Sequence, residues 1–411
     1  MRVIVIGGGA AGFFAAITCA RVAPEKEVIL LEAGKQPLGK VRISGGGRCN
    51  VTHHCFDPRL LVQAYPRGGK ALRGAFTRFQ PQDTVAWFES RGVRLKTEAD
   101  GRMFPVTDNS ETIIDCLMKE AKAAGVEVKT GVKVKWLSDE DGRFIIELNN
   151  GDFFRSDRAL LATGSQRLSY QWLTQLGHKI IPPIPSLFTF NIQDERLAEL
   201  AGITVENVAV KLETKGKDNY QQTGQLLITH WGLSGPAVLK LSAYGARVLH
   251  DQNYQMGLII NWLPEENLET VKEKLFAQKE ATPRRQILTF SPVEIPRRLW
   301  EKSAIASGIS ETQRWAELSK KQSNQLAKEL TQAHFQIQGK GVFKEEFVTC
   351  GGVDLREINF KTMESKLVSG LYFAGEILDI DGVTGGFNFQ NAWTTGWLAG
   401  QAIGGERDHE V

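Results

Sequence analysis

The run Gly7-Gly8-Gly9-Ala10-Ala11-Gly12 has the spacing G-x-G-x-x-G. Its first glycine admits a tight turn, its second lets backbone approach a pyrophosphate, and its third lets a helix pack closely on a strand. A helix opening at Ala10 adds free N–H groups and a positive dipole end, both of which attract phosphate. Alone the spacing says little, since a glycine-rich turn can exist without a ligand. Here it follows an apolar β-branched run, Arg2–Ile6, and is answered by Glu32, twenty residues past Gly12 at the end of a second such run. A carboxylate at that place, followed by Ala33, is positioned for a ribose hydroxyl pair and repels the 2′-phosphate of NADP.

A second set of glycines lies near the other end of the chain. Gly375-Glu376 follows a strand-like run, and Gly382, Gly385 and Gly386 stand just before a helical stretch that begins at Phe387 and Asn388. An enzyme that binds only a nicotinamide needs no such cluster. A second helix N-terminus suits an extended cofactor, and in FAD it would face the negative N1–C2=O edge of the reduced isoalloxazine. The expected cofactor is therefore FAD. There is no second G-x-G-x-x-G unit, so the expected second redox partner is NAD(P)H as a transient co-substrate, or oxygen.

Two side chains are candidates for chemistry beside a flavin. His230, in Thr229-His230-Trp231-Gly232, could orient substrate or move a proton; the alternative is a histidine capping a strand. Cys49 sits between Arg48 and Asn50, where positive charge could lower a thiol pKa, but no C-x-x-C partner exists and a small packed side chain is the alternative. Arg48 could hold a pyrophosphate or merely fix its loop. Trp231 and Phe387 could wall a flavin, or be core. His53-His54 lacks spaced carboxylate partners, and no metal site is expected. The lysines Lys320, Lys321 and Lys328 read as a solvated face.

These groups need elements to hold them. Arg2–Ile6 and Glu27–Glu32 read as strands buried on both faces of a parallel sheet, with a helix over 10–22 between them. Thr112–Ala124 reads as a helix, Val126–Leu137 as strands around Gly131, and Ala159–Thr163 as a strand ending on Gly164. After Pro182-Pro183-Ile184-Pro185 the pattern changes to short alternating segments, including Val205–Leu212 and Gly224–Thr229, which read as antiparallel β. From Pro264 the period is helical, with Leu268, Val271, Leu275 and Phe276 on one face, and Pro283, Pro292 and Pro296 divide it. The α/β pattern returns at the end, with a helix over 387–403. The layout implied is a nucleotide domain made from 1–185 and 349–411, an inserted β domain from 186–263 and 337–348, and a helical insert at 264–336.

Composition bounds the rest. A chain of 411 residues exceeds one ordinary core. Fifty basic against 47 acidic residues leave a net charge of +3, too small and too dispersed to argue for nucleic acid. Five cysteines without C-x-x-C spacing argue against a disulfide framework or structural zinc, and a reducing, cytoplasmic compartment is expected. Val3–Ala20 is uncharged and long enough to raise a membrane span or signal, but three glycines interrupt it and no cleavage pattern precedes Arg21.

The run Gly39-Lys40-Val41-Arg42-Ile43-Ser44-Gly45-Gly46-Gly47-Arg48-Cys49-Asn50-Val51-Thr52 resembles the signature of a bacterial flavoprotein family, the NAD(P)/FAD-dependent oxidoreductases or aminoacetone-oxidase-family FAD-binding enzymes. Gly101–Pro105, Thr229–Pro236, Thr349–Val353 and Gly370–Asn391 resemble the same family, in its order and across nearly the whole chain. The resemblance implies an α/β fold: a glutathione-reductase-type, Rossmann-like FAD domain with an inserted antiparallel, barrel-like β domain and a helical insert. It places Gly7, Gly9, Ala11, Gly12 and Glu32 on the ADP half of FAD, and Lys40, Ser44, Gly45, Arg48, Cys49 and Asn50 along pyrophosphate and flavin. It puts Val134 by the adenine with Ala162-Thr163-Gly164 nearby, Glu376 by the ribityl or pyrophosphate, and Gly386, Phe387 and Asn388 at the N1–O2 edge. One departure stands out: Ser165–Gly177 lacks the glycines usual there and reads as a shortened loop.

The function expected is hydride transfer between FAD and a small organic substrate, with no nucleic-acid or membrane partner. The competing class is a non-redox flavoprotein, such as an FAD-dependent tRNA-modifying protein or a flavin-regulated binding module.

Overall fold

The computed structural model describes residues 1–214, 219–341 and 348–405. Two compact units emerge, Met1–Ile184 with Val348–Val411, and Pro185–Phe347.

The first unit is organised on a parallel sheet. Its strands are β1 (Arg2–Ile6), β2 (Glu27–Glu32), β3 (Glu127–Thr130), β4 (Arg158–Leu161) and β5 (Leu371–Phe373), in the order β3-β2-β1-β4-β5. Val3, Ile4 and Val5 are wholly buried, as β-branched residues in a strand covered on both faces should be. The register sets Val5 opposite both Leu30 and Leu160. Beyond β5 two short antiparallel strands, Glu364–Ser365 and Ile358–Asn359, close that edge. Three helices matter for the site: α1 (Ala10–Val22), α2 (Glu111–Ala123) and α3 (Phe387–Gly405). An antiparallel sheet of Val134–Glu140, Arg143–Leu148 and Phe153–Ser156 packs against β1 and β4.

α1 and α3 are nearly apolar all round, which marks helices buried between other layers. They touch through glycine: a Cβ on Gly396, Gly400 or Gly404 would fall 2.7 Å from Ala11 O, 2.5 Å from Ala15 O and 2.7 Å from Val22 Cβ. Glycine at every fourth residue thus lays the backbones of two parallel helices against each other.

The stretch read as a shortened loop is instead a helix, Arg167–Gln175. Tyr170, Trp172 and Leu173 are buried, and Trp172 Nε1 donates to Lys135 O at 3.0 Å. Their helical spacing, not the missing glycines, was the signal to follow.

The second unit carries an antiparallel sheet in the order Ala333–Ile337, Met256–Asn261, Thr204–Leu212, Gln221–Thr229, Gly232–Ser234, Phe190–Asn191, Gly339–Lys340. Its two edge strands are separated in sequence by Gln338 alone, so the edges stand within about 7 Å at that point and the sheet curls toward a barrel. Helices Leu268–Ala281, Arg297–Ala306 and Lys320–Thr331 share one hydrophobic core with this sheet, from Phe190 and Val210 through Trp300 and Leu326. The β part and the helical part are therefore one packed body. Val271 and Leu275 face that core as expected, but Phe276, one residue round the helix, is 60 % exposed. No described helix is long and apolar enough to cross a membrane.

Candidate active site

The turn after β1 is as tight as its glycines permit. Gly7 takes a φ of +113°, and a Cβ there would fall 2.4 Å from Ala162 O. A Cβ on Gly12 would fall 1.9 Å from Gly7 O, whereas one on Gly9 would meet nothing within 4 Å. The turn is thus closed toward the protein at Gly7 and Gly12 and open at Gly9, where Ala10 and Ala11 begin α1. Glu32 is fixed from two sides: Oε2 accepts from Gly8 N at 2.8 Å and Oε1 from Gly34 N at 2.6 Å. Ala33 carries the chain between those contacts. Val132 N donates to Glu32 O at 2.9 Å, which brings Val134 to this end of the sheet.

On the other side of β1, Ala162 N donates to Ile6 O at 2.8 Å. Thr163 follows with its hydroxyl buried and without a hydrogen-bond partner, and a Cβ on Gly164 would stand 3.5 Å from Glu376 Oε2. Glu376 pairs with Lys40 through Oε2 and accepts from Thr349 N at 2.9 Å through Oε1. Gly375 N is held by Thr395 Oγ1 of α3 at 2.9 Å.

The C-terminal turn is assembled from distant parts. Asn50, with its amide oxygen toward the turn, accepts from Gly386 N at 2.9 Å and donates to Thr52 O at 3.1 Å. Asn388 bonds both N–H and O of Gly382, each at 2.9 Å. Tyr65 Oη donates to Phe387 O at 2.6 Å, and Arg67 forks onto Asp381, whose side chain is fully buried. The ring of Phe387 stacks on His53 at 4.6 Å.

Two parallel helices now point their N-termini the same way, but not from one level. Gly396 of α3 lies beside Ala11 at the start of α1, so α3 reaches about 13 Å further, at about 1.5 Å per residue, before it begins at Phe387. One positive helix end at the tight turn and another displaced along the axis fit an elongated cofactor with phosphates at one end and an electron-rich ring at the other. Glu32 supplies acceptors for a ribose, and the buried, unpartnered Thr163 hydroxyl is left for a ligand. The residues present fit FAD.

The family model described as the HI0933-like protein Rossmann domain matches residues 1–402. The chain belongs to this family. It is 31% identical over 416 residues to the "Ribosomal RNA dihydrouridine synthase" of Escherichia coli K12, covering 97% of each chain. It is 29% identical over 409 residues to the "3-dehydro-bile acid delta(4,6)-reductase" of Clostridium scindens, covering 98% of each. In fold it is similar to a 3-ketosteroid-delta4-(5alpha)-dehydrogenase from Rhodococcus jostii RHA1, with a TM-score of 0.51 at 14% identity over 98% of this chain and 96% of that one.

Within this HI0933-like domain the first part of the signature run, Gly39–Gly47, forms a kinked helical segment with Ser44, Gly45 and Gly46 at the kink. Ser44 O accepts from Cys49 N at 3.0 Å. Cys49 is wholly buried, and burial pushes its thiol up to about 12. That environment keeps the sulfur protonated, which suits a packed side chain and not a thiolate nucleophile. Arg48 bonds Glu98 at 2.6 Å and lies over the Phe104 ring at 4.0 Å, so it ties its own loop down. His230 belongs to the second unit, exposed in the turn between Gln221–Thr229 and Gly232–Ser234. Among the described residues no three His, Cys, Asp or Glu side chains group as a metal site. His54 packs on Phe56, and His53 Nε2 meets Asp100 O at 3.1 Å.

Several residues at the C-terminal turn escaped the sequence reading: Tyr65, Arg67, Asp381, Gln390 and Trp393. Gln390 accepts from Thr52 at 2.6 Å and Thr84 at 3.0 Å, and Trp393 donates to Val51 O at 2.9 Å. One signal was available, since Asp381 is one of three acidic residues, with Glu376 and Asp379, inside an otherwise largely apolar and glycine-rich run.

Proposed function

We propose that this chain is an FAD-dependent reductase that adds a hydride and a proton across a carbon–carbon double bond conjugated to a carbonyl, with NAD(P)H as the electron donor. The observation that carries the reading is the pair of offset, parallel helix N-termini in a chain whose relatives' names share one chemistry. Forming dihydrouridine reduces C5=C6 of uracil, which is conjugated to the C4 carbonyl. A delta(4,6)-reductase acting on a 3-dehydro steroid likewise reduces double bonds conjugated to a ketone. Both are net reductions, which favours a nicotinamide over oxygen as the second redox partner.

When bound, FAD supplies the hydride at its N5 position. The chain's own residues hold and bias it. The open face at Gly9 and the N-terminus of α1 take the pyrophosphate. Glu32 takes the adenosine ribose, while Lys40 and Glu376 line the link between the two helix ends. The N-terminus of α3, fixed by Asn50, Tyr65 and Asn388, stabilises negative charge at the N1–C2=O edge, and so favours a reduced flavin able to donate hydride. Lacking a second glycine-rich nucleotide turn, the chain would receive NAD(P)H directly at the flavin.

The test is anaerobic titration of the purified yellow protein with NADH and NADPH, followed by a steroid enone or a uridine-containing RNA oligonucleotide. The expected result is bleaching of the flavin band by a nicotinamide and its return with a conjugated substrate, with no peroxide. Bleaching by an amine and peroxide on aeration, with no response to nicotinamide, would make the chain an oxidase and overturn the proposal.

A further inference from the structure

The second unit carries a group of positive charges that its own fold leaves unanswered. Around the isolated bridge between Gln286 and Arg314, Trp315 N donates to Arg285 O at 2.9 Å and Ala316 N to Pro283 O at 2.9 Å. This pairing sets the backbones of Arg284, Arg285 and Arg314 side by side. All three are exposed, and none has an ion-pair partner among the described residues. Elsewhere guanidiniums are commonly answered: Arg2 by Glu27, Arg42 by Glu111, Arg196 by Asp194, Arg297 by Glu301. Glu317, three residues past Arg314, is engaged at 3.0 Å by the backbone N–H of Arg314.

An aromatic surface accompanies the charge. The Arg285 guanidinium lies over the Phe290 ring at 4.4 Å, and Phe290 is 37 % exposed. The platform beneath is rigid: Trp300 and Trp315 stack with centroids 6.3 Å apart, both wholly buried, and Trp300 Nε1 donates to Ile287 O at 2.9 Å. Eight basic and four acidic residues fall between 282 and 321, a local excess in a chain of net charge +3.

Unpaired guanidiniums in a row beside an exposed, cation-backed aromatic ring are how proteins hold single-stranded nucleic acid: phosphates on the arginines, a base on the ring. A small apolar enone has no use for them. We propose that Arg284, Arg285, Phe290 and Arg314 form a binding surface for a single-stranded stretch of RNA, and that the substrate of the proposed reductase is a uridine within RNA. The second half of this statement rests on the reductase reading above; the first does not.

The measurement is fluorescence anisotropy of the full-length, FAD-loaded protein with a labelled single-stranded, uridine-rich RNA oligonucleotide over a series of KCl concentrations. With R284Q/R285Q/R314Q the expected dissociation constant rises about tenfold or more, and the slope of log K against log salt becomes shallower by about 2, for three phosphate contacts. Phe290→Ala is expected to weaken binding about tenfold with the slope unchanged, because stacking releases no counterions. FAD content and melting temperature of the variants should match the parent, which separates lost contacts from misfolding. No RNA binding by the parent, or equal affinity and slope in the triple variant, would overturn the surface. Equally tight, arginine-dependent binding of a polyaspartate peptide would overturn it in favour of an acidic protein partner. Anaerobic reduction of the flavin by NADH or NADPH and its reoxidation by the same RNA, measured in parallel, isolate the reductase reading: their absence alongside intact RNA binding would sink that reading and leave the surface standing.

Discussion

The two glycine turns that open α1 and α3 are built in opposite ways. The N-terminal turn is nearly self-sufficient: Gly7 N reaches Leu31 O at 2.8 Å, Gly8 N reaches Glu32, and strand, turn and helix follow one another directly. The C-terminal turn depends on chain made much earlier, with Arg67 bound to Asp381 across 314 residues and Tyr65 to Phe387 across 322. A local motif meets its geometric needs with residue types at fixed spacing. A tertiary one meets them with partners whose positions no spacing reveals. The first should fail by steric conflict, and the second by loss of a remote partner.

The largest effect expected is at the remote partner. Asp381→Ala leaves the mostly buried Arg67 guanidinium without its carboxylate, a loss of about 3–5 kcal/mol. Urea unfolding should report that loss together with release of FAD; a parent-like midpoint would mean that the turn stands without the pair. Next comes Gly12→Val. Its Cβ cannot coexist with Gly7 O, so we expect a colourless protein that is less stable by about 1–3 kcal/mol, read from the FAD-to-protein absorbance ratio and the melting temperature. Glu32→Ala should be milder, folding normally but binding FAD about tenfold or more weakly, as the loss of charged hydrogen-bond acceptors implies. Unchanged flavin retention on dialysis would break the assignment of the adenosine end.

The smallest effect belongs to Cys49, the chain neighbour of Asn50. Its folded thiol titrates near 12 because it is buried, whereas an unfolded thiol ionises near 9. Stability from this group is therefore complete below about pH 9 and declines as pH rises toward 12. Cys49→Ala should leave flavin reduction intact and flatten that alkaline decline. In the parent at pH 8, iodoacetamide should modify Cys55, which is partly exposed, before Cys49. Rapid alkylation of Cys49, followed by mass spectrometry of the peptides, would restore it as a reactive thiol.

The same contrast explains what could be read from the sequence. The strands at 2–6 and 27–32, the Gly7–Gly12 turn and the helix from Phe387 carry their periods and breakers locally, and they appear where those signals put them. The helix Arg167–Gln175 carries a local signal in the spacing of Tyr170, Trp172 and Leu173, which the lack of glycines in its flanking loop obscures. The packing of helices and sheet around one core in the second unit was hidden for another reason. A proline-divided helical stretch and an alternating β stretch look independent in sequence, and only their shared interior joins them. At the site, Glu376 and Phe387 are singled out by their glycine-rich neighbourhood, and Asn50 by the family resemblance of the run 39–52. Tyr65 and Arg67 did not, because their roles exist only once the last helix has docked.

The glycine ridge of α3 also fixes an order of events during synthesis. β4 has no partner on one side until β5 has emerged, and α1 keeps an apolar face in water until Gly396, Gly400 and Gly404 arrive. A nascent chain that stops before Leu371 therefore presents an open strand edge and an uncovered helix. The half-sheet laid down first can close only once Leu371–Phe373 and the helix from Phe387 have been made, and a chain that terminates before them is expected to expose that edge to aggregation.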